Sequence, residues 1–326
     1  MKEKQHGDDL FRYENIRINF SSNIWGHADL ANLKEHLSHC LDSISHYPEP
    51  YAHSLEIALA NATGIHRDEI LVTSGSVDAI YLISTLFSDA EPIIPIPTFS
   101  EYTLASRRYK QGTGSSRKIH WICNPNNPTG LVCPKEKLLE KMDHSEDIFV
   151  IDQAYEDYTM EQMLLDSEVT MRPNVLLLHS MTKKYCIPGL RLGYVVGHRK
   201  LIQLLRDISR PWSINALAQE AGLWMQGKNV LPDLQWLRNE TEIFRNQINQ
   251  IEGYRALPTQ TNFFLIKIDR KRRLTSSTLK EVLAQQHGIL IRDASNFIGL
   301  DDSYIRVATQ LPMENTELVT LLEQIY

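Results

Sequence analysis

The chain has 326 residues, of which 42% are hydrophobic and 23% are charged, and its formal net charge is −6. This acidic balance excludes the basic surface of nucleic-acid-binding proteins, and no apolar run is long enough to span a bilayer. The length suits one large domain with a smaller one. The polar N-terminus lacks a signal-peptide pattern and the four cysteines lack metal-ligand spacing, so we expect a cytoplasmic protein without a bound metal.

Short apolar runs alternate with helical stretches through the first two thirds of the chain. The strands predicted from these runs are 69–74, 92–97, 119–123, 147–152, 175–179 and 194–197. Helical patterns at 77–87 and 135–142 lie between some of them. This alternation predicts an α/β fold with a mostly parallel sheet. Such sheets bind ligands beyond the carboxyl ends of their strands.

The last third of the chain has a different order of elements. A helix-rich stretch at 212–236 leads out of the large domain, and a small α+β domain follows. Its predicted elements are a strand at 263–268, a helix at 277–287 and strands at 288–292 and 304–309. The domains predicted are an N-terminal arm with part of the small domain at 1–45, a large domain at 46–225 and a small C-terminal domain at 226–326.

The first candidate site motif lies between a predicted strand and the helix that follows it. Its residues are Thr73, Ser74, Gly75, Ser76 and Val77. Small hydroxyl residues and a glycine at a helix start offer N–H groups and hydroxyls to an anion, helped by the helix dipole. Ordinary helix capping explains the same motif equally well.

Polar residues also follow two later strands. The segment 123–130 contains three asparagines and two prolines, which predict a rigid turn. Asp152 comes directly after a buried strand, with Tyr155 three residues on, so both side chains are suited to contact one bound ring. The alternatives are a plain turn in the first case, and a helix-capping aspartate with a packing tyrosine in the second.

Two adjacent lysines, Lys183 and Lys184, follow the apolar strand at 175–179, with Ser180 before them and Arg191 after them. A lysine at the end of a buried strand is partly desolvated, which lowers its pKa and makes the amine a nucleophile for a carbonyl. Ser180 and Arg191 are suited to hold a phosphate. Adjacent lysines are otherwise a solvated surface, and we assign Lys184 that role.

An arginine, Arg306, lies inside the apolar strand at 304–309. A half-buried guanidinium requires a carboxylate or phosphate partner, and its planar fork binds either one in a bidentate manner. The partner is either a bound anion or a structural Asp or Glu of the chain.

The order of these motifs resembles that of the class I and II aminotransferase family, the fold type I enzymes that use pyridoxal 5′-phosphate. The resemblance covers nearly the whole chain and implies an α/β fold with a large domain, whose mostly parallel sheet is of the seven-stranded type, and a small α+β domain. Because the segment at 103–121 is shorter than the family pattern, we expect a shortened sheet. The resemblance also implies a homodimer with shared active sites.

The resemblance implies a role for each residue that would contact the reactive part of the cofactor. Lys183 would be the catalytic lysine that attaches the cofactor. Asp152 would pair with the protonated pyridine nitrogen, so that the ring remains an electron sink. Asn127 and Tyr155 would hold the phenolic oxygen of the ring.

The other implied contacts surround the ring, the cofactor phosphate and the substrate. Phe99 would stack on the ring, with Tyr102 as the alternative. Tyr47 would reach the cofactor phosphate of the neighbouring subunit, and Arg306 would bind the substrate α-carboxylate. The residues expected around the cofactor phosphate within the chain are Gly75, Ser76, Val77, Ser180 and Arg191.

Two branches of the family compete as the nearer match. Threonine-phosphate decarboxylases and histidinol-phosphate aminotransferases share the Asn-Pro turn and the Tyr-Pro-Glu-Pro stretch at 47–50. The segments 182–194 and 210–219 are more similar to the decarboxylases. Arg292 and Arg306, which lie fourteen residues apart, are similar to two arginines that grip phosphate and carboxylate in the decarboxylases.

We therefore expect decarboxylation of L-threonine O-3-phosphate to (R)-1-aminopropan-2-yl phosphate, in cobalamin biosynthesis. His6 and Asn23 would add contacts to the small phosphorylated substrate. The bond that breaks must stand perpendicular to the cofactor ring, and a second anion anchor would tilt the carboxylate into that position. The alternatives are an aminotransferase for histidinol phosphate or another amino acid, and a non-catalytic binding protein. Two departures weaken the substrate contacts: Asp8 replaces a glycine, and the segment 21–26 lacks an Asn-Pro pair.

Overall fold

The fold was analysed in a computed structural model, which describes residues 8–109 and 117–325. His6, one of the expected substrate contacts, lies outside the described residues. Within them, no helix combines the length and the apolar character that a membrane crossing requires.

The strands of the described residues are short, and most of them follow the predicted apolar runs. In chain order they are β1 Ile18–Asn19, β2 Ile70–Thr73, β3 Glu91–Ile93, β4 Lys118–Cys123, β5 Ile148–Asp152, β6 Val175–His179, β7 Gly193–Gly197, β8 Tyr254–Ala256, β9 Phe263–Ile268, β10 Ile289–Leu290, β11 Arg292–Asp293 and β12 Tyr304–Ala308.

The α-helices lie between and after these strands. In chain order they are α1 Ala31–His39, α2 His53–Thr63, α3 Ser76–Leu86, α4 Ser100–Tyr109, α5 Lys135–Asp143, α6 Asp166–Thr170, α7 Met181–Lys184, α8 Arg199–Ile208, α9 Ala216–Trp224, α10 Leu234–Asn249, α11 Ser276–His287 and α12 Pro312–Gln324.

The large sheet has the strand order β2-β7-β6-β5-β4-β3 in the part of the chain that the structure describes. Strands β3 to β6 run parallel to one another, and β7 runs antiparallel to both β6 and β2. The mostly parallel α/β sheet predicted from the sequence is confirmed. It has six strands within the described residues, which agrees with the expected shortening of the seven-stranded type.

The central strands are apolar throughout because helices cover both faces of the sheet. On β5, Phe149 and Ile151 join one core cluster with the helices α2, α5 and α9, whereas Ile148 and Val150 join a second cluster with α3, α4 and α8. Successive side chains on a strand point to opposite faces, so a strand buried on both faces reads as a continuous apolar run.

The small sheet is antiparallel, with the strand order β11-β12-β9-β8. The helices α10, α11 and α12 pack on it around Phe244, Leu283 and Leu318, which are fully buried. A separate parallel pair joins β1, near the start of the chain, to β10. The N-terminal segment therefore packs against the C-terminal third.

Two of the predicted strands had the wrong extent. The strand predicted at 92–97 ends at Ile93, since the prolines that follow have no N–H to donate to a neighbouring strand. The single strand predicted at 288–292 is two short strands in different sheets, β10 beside β1 and β11 beside β12. The pairing of β11 with β12 places Arg292 directly opposite Arg306.

Candidate active site

A cavity lies where the carboxyl ends of β2, β4, β5 and β6 meet the start of α3. It is lined by Ser76, Val77, Phe99, Tyr102, Cys123, Asn127, Asp152, Ala154, Tyr155, Ser180, Thr182, Lys183 and Arg191. Nine of the residues expected to bind the cofactor are therefore brought to one place. Together they span more than a hundred positions of the sequence, from Ser76 to Arg191.

Lys183 lies in the short helix α7, just after β6, and its Nζ is 5.9 Å from the ring centre of Tyr155. Loss of surrounding water, together with the positive charges of Arg306 and Arg191, lowers the pKa of Lys183 to about 8. A pKa of about 8 leaves about a tenth of the amine uncharged at pH 7, far more than for an ordinary lysine, and the uncharged form is the nucleophile for a carbonyl.

Lys184 points away from the cavity, as the sequence analysis proposed. Its Nζ lies 3.3 Å from Asp157 Oδ1, and the side chain is 44% exposed. Burial lowers the pKa of Lys184, but the charges of Asp157, Tyr185 and Glu156 together outweigh that effect and raise it. This lysine remains protonated, so it is unsuited to attack a carbonyl.

Asp152 ends β5 as a buried carboxylate with two hydrogen-bond donors. Oδ2 accepts from the Tyr102 hydroxyl at 2.7 Å, and Oδ1 accepts from the backbone N–H of Ala154 at 3.0 Å. Burial raises the pKa of Asp152, and these hydrogen bonds oppose the rise. Tyr102 is engaged with Asp152 and stacks on Trp121 at 5.3 Å, so it is not the ring-stacking residue that the alternative assignment required. Phe99 lines the cavity and retains that position.

The asparagines of the turn at 123–130 have separate tasks. Asn124 exchanges two hydrogen bonds with the backbone of Cys133, at 2.7 and 3.1 Å. Asn126 donates to the carbonyl of Pro97 at 3.0 Å. These bonds fix the turn, and Asn127 Oδ1 accepts from Arg306 at 2.6 Å. The turn is therefore built to present Asn127 to the cavity.

The phosphate motif forms a tight cradle. Gly75 has a φ of +80°, and a Cβ at that position would lie 2.7 Å from Arg191 Nη2. The N–H groups of Ser76 and Val77 begin α3, and Ser180 faces the same cavity. A helix N-terminus, a hydroxyl and a guanidinium together match the needs of a phosphate. A glycine is favoured here because a φ of +80° strains any other residue, and because a Cβ would displace the Arg191 guanidinium from the cradle.

Two buried arginines lie side by side on the small sheet. Arg292 and Arg306 are directly opposite each other in the β11–β12 register, which places their side chains on the same face. Arg306 donates to Asn127 Oδ1 and to the Ser21 carbonyl, each at 2.6 Å, and both acceptors are uncharged. Burial lowers the pKa of Arg306 to about 10, and the charge of Arg292 contributes. Arg292 donates to Asn296 at 2.7 Å.

Asn23 and Tyr47, two other expected contacts, differ in how far they are buried. Asn23 is 2% exposed, and its carbonyl accepts from Asn262. Burial raises the pKa of the cavity residue Tyr155 to about 12, and a hydrogen bond from the Asn23 side chain opposes that rise. Tyr47 is 85% exposed, packs on Trp212 at 5.4 Å and does not line the cavity.

A buried ionic cluster beneath the site was missed by the sequence analysis. His179, the last residue of β6, places Nδ1 2.6 Å from Glu156 Oε1 and Nε2 2.8 Å from Asp166 Oδ1. Glu156 also accepts from Gln153, the residue after Asp152. Burial lowers the pKa of His179, but the two carboxylates outweigh that effect and raise it to about 10. The imidazolium ties the ends of β5 and β6 together.

Comparison with known proteins agrees with this geometry. The profile of the family described as Aminotransferase class I and II matches residues 103–325. A putative threonine-phosphate decarboxylase of Caldanaerobacter subterraneus subsp. tengcongensis is 29% identical, over 100% of this chain and 95% of that protein. A histidinol-phosphate aminotransferase of Methanococcus aeolicus is 26% identical, over 96% and 90%. The crystal structure of L-threonine-O-3-phosphate decarboxylase from Porphyromonas gingivalis superposes with a TM-score of 0.89 and 34% identity, over 94% and 98%.

Fold, site and comparisons together define a pyridoxal-phosphate enzyme of fold type I. The chain belongs to the class I and II aminotransferase family, whose enzymes use this cofactor. The residues fit it: a half-buried lysine of lowered pKa, a buried carboxylate and a cradle closed to any side chain at Gly75 surround one cavity. When bound, the cofactor supplies an electron sink.

The two lysines should differ sharply in cofactor attachment. Lys183→Ala should abolish it, because the amine that faces the cavity is lost, whereas Lys184→Ala should retain it. Borohydride reduction of each cofactor-loaded protein, followed by peptide mass spectrometry, measures the attachment. A cofactor adduct in Lys183→Ala, or its absence in Lys184→Ala, would contradict the assignment.

Replacement of the buried imidazolium should make stability depend on pH in a different way. His179→Gln leaves the buried Asp166 and the partly buried Glu156 without their cation, which costs up to about 3–5 kcal/mol. Because folding raises the pKa of His179 from about 6.5 to about 10, its contribution is complete below pH 6.5 and is lost as pH rises through 10. Urea unfolding of the wild type and the variant from pH 6 to pH 10 should therefore show a shrinking difference. The exposed His144→Gln serves as the control. A difference between wild type and His179→Gln that stays constant with pH would disprove the proposed stabilisation by a charged His179.

Proposed function

We propose that this enzyme decarboxylates L-threonine O-3-phosphate to (R)-1-aminopropan-2-yl phosphate, a reaction of cobalamin biosynthesis. The observation that carries the proposal is the pair of buried arginines, Arg292 and Arg306, opposite each other on β11 and β12. Like charges directly opposite on a sheet repel. A substrate with a carboxylate and a phosphate relieves this repulsion by binding one anion at each guanidinium.

Each arginine has its own part in the proposed reaction. Arg306 contacts Asn127, which lines the cavity, so it is placed to take the α-carboxylate. Arg292 then holds the phosphate at the other end of the substrate. Two fixed anions leave the amino acid little rotational freedom, which orients the Cα–carboxylate bond for cleavage. The 34% identity to the Porphyromonas gingivalis decarboxylase supports this reaction.

Lys183 supplies the proton that the proposed reaction requires. Cleavage releases carbon dioxide and leaves an electron pair at Cα, and a proton must be added there. Lys183 Nζ, with its pKa near 8, is the proton donor at that atom. The burial of Asp152 and Tyr155 keeps water from the wall of the cavity that would hold the cofactor ring.

An aminotransferase acting on histidinol phosphate, or on another amino acid, is the second candidate. The 26% identity to the Methanococcus aeolicus aminotransferase over nearly the whole chain favours it. A phosphorylated amino alcohol has no α-carboxylate, so it would place a substrate anion at only one of the two arginines. L-Threonine O-3-phosphate would place one anion at each arginine, and on that ground we prefer the decarboxylase, as far as the amino-acid substrate is concerned.

The two reactions differ in their products. With pyridoxal phosphate and L-threonine O-3-phosphate, the enzyme should release one carbon dioxide per aminopropanol phosphate formed. Arg292→Met should raise KM for this substrate roughly 10–150-fold, because a charged hydrogen bond is lost, with a smaller effect on unphosphorylated threonine. The exposed Arg255→Met of the same sheet is the control. Transfer of the amino group to 2-oxoglutarate without carbon dioxide release would reject the decarboxylase.

We further propose a homodimer in which each chain completes the site of its partner. Tyr47 lies exposed at the surface, while the cofactor cradle of its own chain is formed by other residues. An 85% exposed aromatic ring packed on Trp212 is suited to contact a second chain.

The dimer proposal predicts a mass twice that of the chain in light scattering. Tyr47→Phe should weaken cofactor binding roughly 10-fold or more, because one hydrogen bond to a phosphate is lost. Tyr51→Phe, a few residues along the same loop, should leave the affinity unchanged. A monomeric mass, or equal affinity in Tyr47→Phe and the wild type, would refute the shared site.

A further inference from the structure

Three side chains of the kinds that bind metals converge where α1 packs against α9. His36 and Cys40 lie one turn apart at the end of α1, and Glu220 comes from α9. His36 Nε2 is 3.7 Å from Cys40 Sγ and 4.0 Å from Glu220 Oε2, and Sγ is 4.0 Å from the same oxygen. None of the three lines the active-site cavity.

The separations of these atoms are close to those around a tetrahedral zinc ion. Bonds of about 2.3 Å to sulfur and 2.0–2.2 Å to nitrogen and oxygen place the ligand atoms about 3.4–3.6 Å apart. The contacts in the structure are long for ordinary hydrogen bonds to nitrogen and oxygen. Shifts of a few tenths of an ångström in three side chains would close the set around one ion.

The surroundings favour a cation at this position. Cys40 is the C-cap of α1, and the partial negative charge of a helix C-terminus attracts cations. The His36 ring is stacked on Trp224, at 5.5 Å and 21°, which fixes its orientation. The ammonium group of Lys228 is directed to Trp224 and not to the three side chains, because it lies over the Trp224 ring and donates to the carbonyl of Trp224.

We propose that His36, Cys40 and Glu220 bind a Zn²⁺ ion, with water as the fourth ligand. A nitrogen, a thiolate sulfur and a carboxylate oxygen form a donor set that suits this borderline-soft ion. The side chains of His36 and Glu220 are 30% and 42% exposed, so the ion and its water have access. The bound ion joins α1, near the start of the chain, to α9, which packs beside the large sheet.

The sequence analysis missed this site because it considered the spacing of the cysteines alone. The His-x-x-x-Cys spacing on α1 supplies two ligands on one helix face. The third ligand lies 180 residues further along the chain, so only the packing of α1 on α9 shows it.

Cobalt is the probe that tests the site, because a thiolate ligand gives Co²⁺ a charge-transfer absorption and tetrahedral geometry gives it strong visible bands. Chelator-treated, cofactor-loaded enzyme should bind one Co²⁺ per chain, and Zn²⁺ should displace it. Cys40→Ser should lose the charge-transfer band, and Glu220→Gln should weaken binding at least 10-fold. Zn²⁺ should also raise the melting temperature of the wild type, and Cys40→Ser should lose that response.

His39→Gln on the same helix and Cys133→Ser elsewhere are the matched controls, and both should bind Co²⁺ like the wild type. Glu220→Gln and His36→Gln carry the test if Cys40→Ser does not fold. The proposal is overturned if the wild type shows no saturable binding of one Co²⁺. Equal losses in Cys40→Ser and Cys133→Ser would overturn it as well.

Discussion

The partial desolvation of one ammonium group, that of Lys183, is the constraint on which the rest of the active site depends. The uncharged form of the amine is the nucleophile, and the lowered pKa of about 8 makes that form accessible near neutral pH while most of the lysine stays charged. This environment exists because β6 is buried on both faces and ends at His179, four residues before the lysine. The antiparallel β7 brings Arg191 back to the same place. The sheet therefore sets the chemistry of the amine by controlling what surrounds it.

The remaining charges of the site are arranged so that burial does not neutralise them. Asp152 must stay ionised to pair with a pyridine nitrogen, although burial raises its pKa. The hydroxyl of Tyr102, the charge of Lys183 and the more distant imidazolium of His179 all oppose that rise. His179 is itself kept charged by Glu156 and Asp166. The charge of Asp152 is thus stabilised in part by His179, and the charge of His179 is stabilised by Glu156 and Asp166.

The sequence was sufficient for the central strands and for the residues directly after them. The strand 175–179 was predicted with its observed bounds because burial on both faces gives an uninterrupted apolar run, and Ser180 and Lys183 follow from its end. Contacts between distant segments were not predictable in the same way. Tyr102 lies 50 residues from Asp152, so its hydroxyl was assigned no partner and its ring was considered for stacking instead. The edge strand at 92–97 was overextended because apolar content does not reveal missing hydrogen-bond donors.

The two anion sites of the proposed enzyme are built from different material, and the difference follows from what each must hold. The cofactor phosphate stays in place, so a rigid cradle of backbone N–H groups at the start of α3, tightened by Gly75, is adequate for it. The substrate must enter and leave, and its anions are assigned to Arg292 and Arg306 on the small sheet. The hydrogen bond from Arg306 to Asn127 joins this sheet to the turn that faces the cofactor. A substrate carboxylate at Arg306 would therefore bind at the contact between the small sheet and the large domain. Its position there would determine which bond of the substrate faces the cofactor.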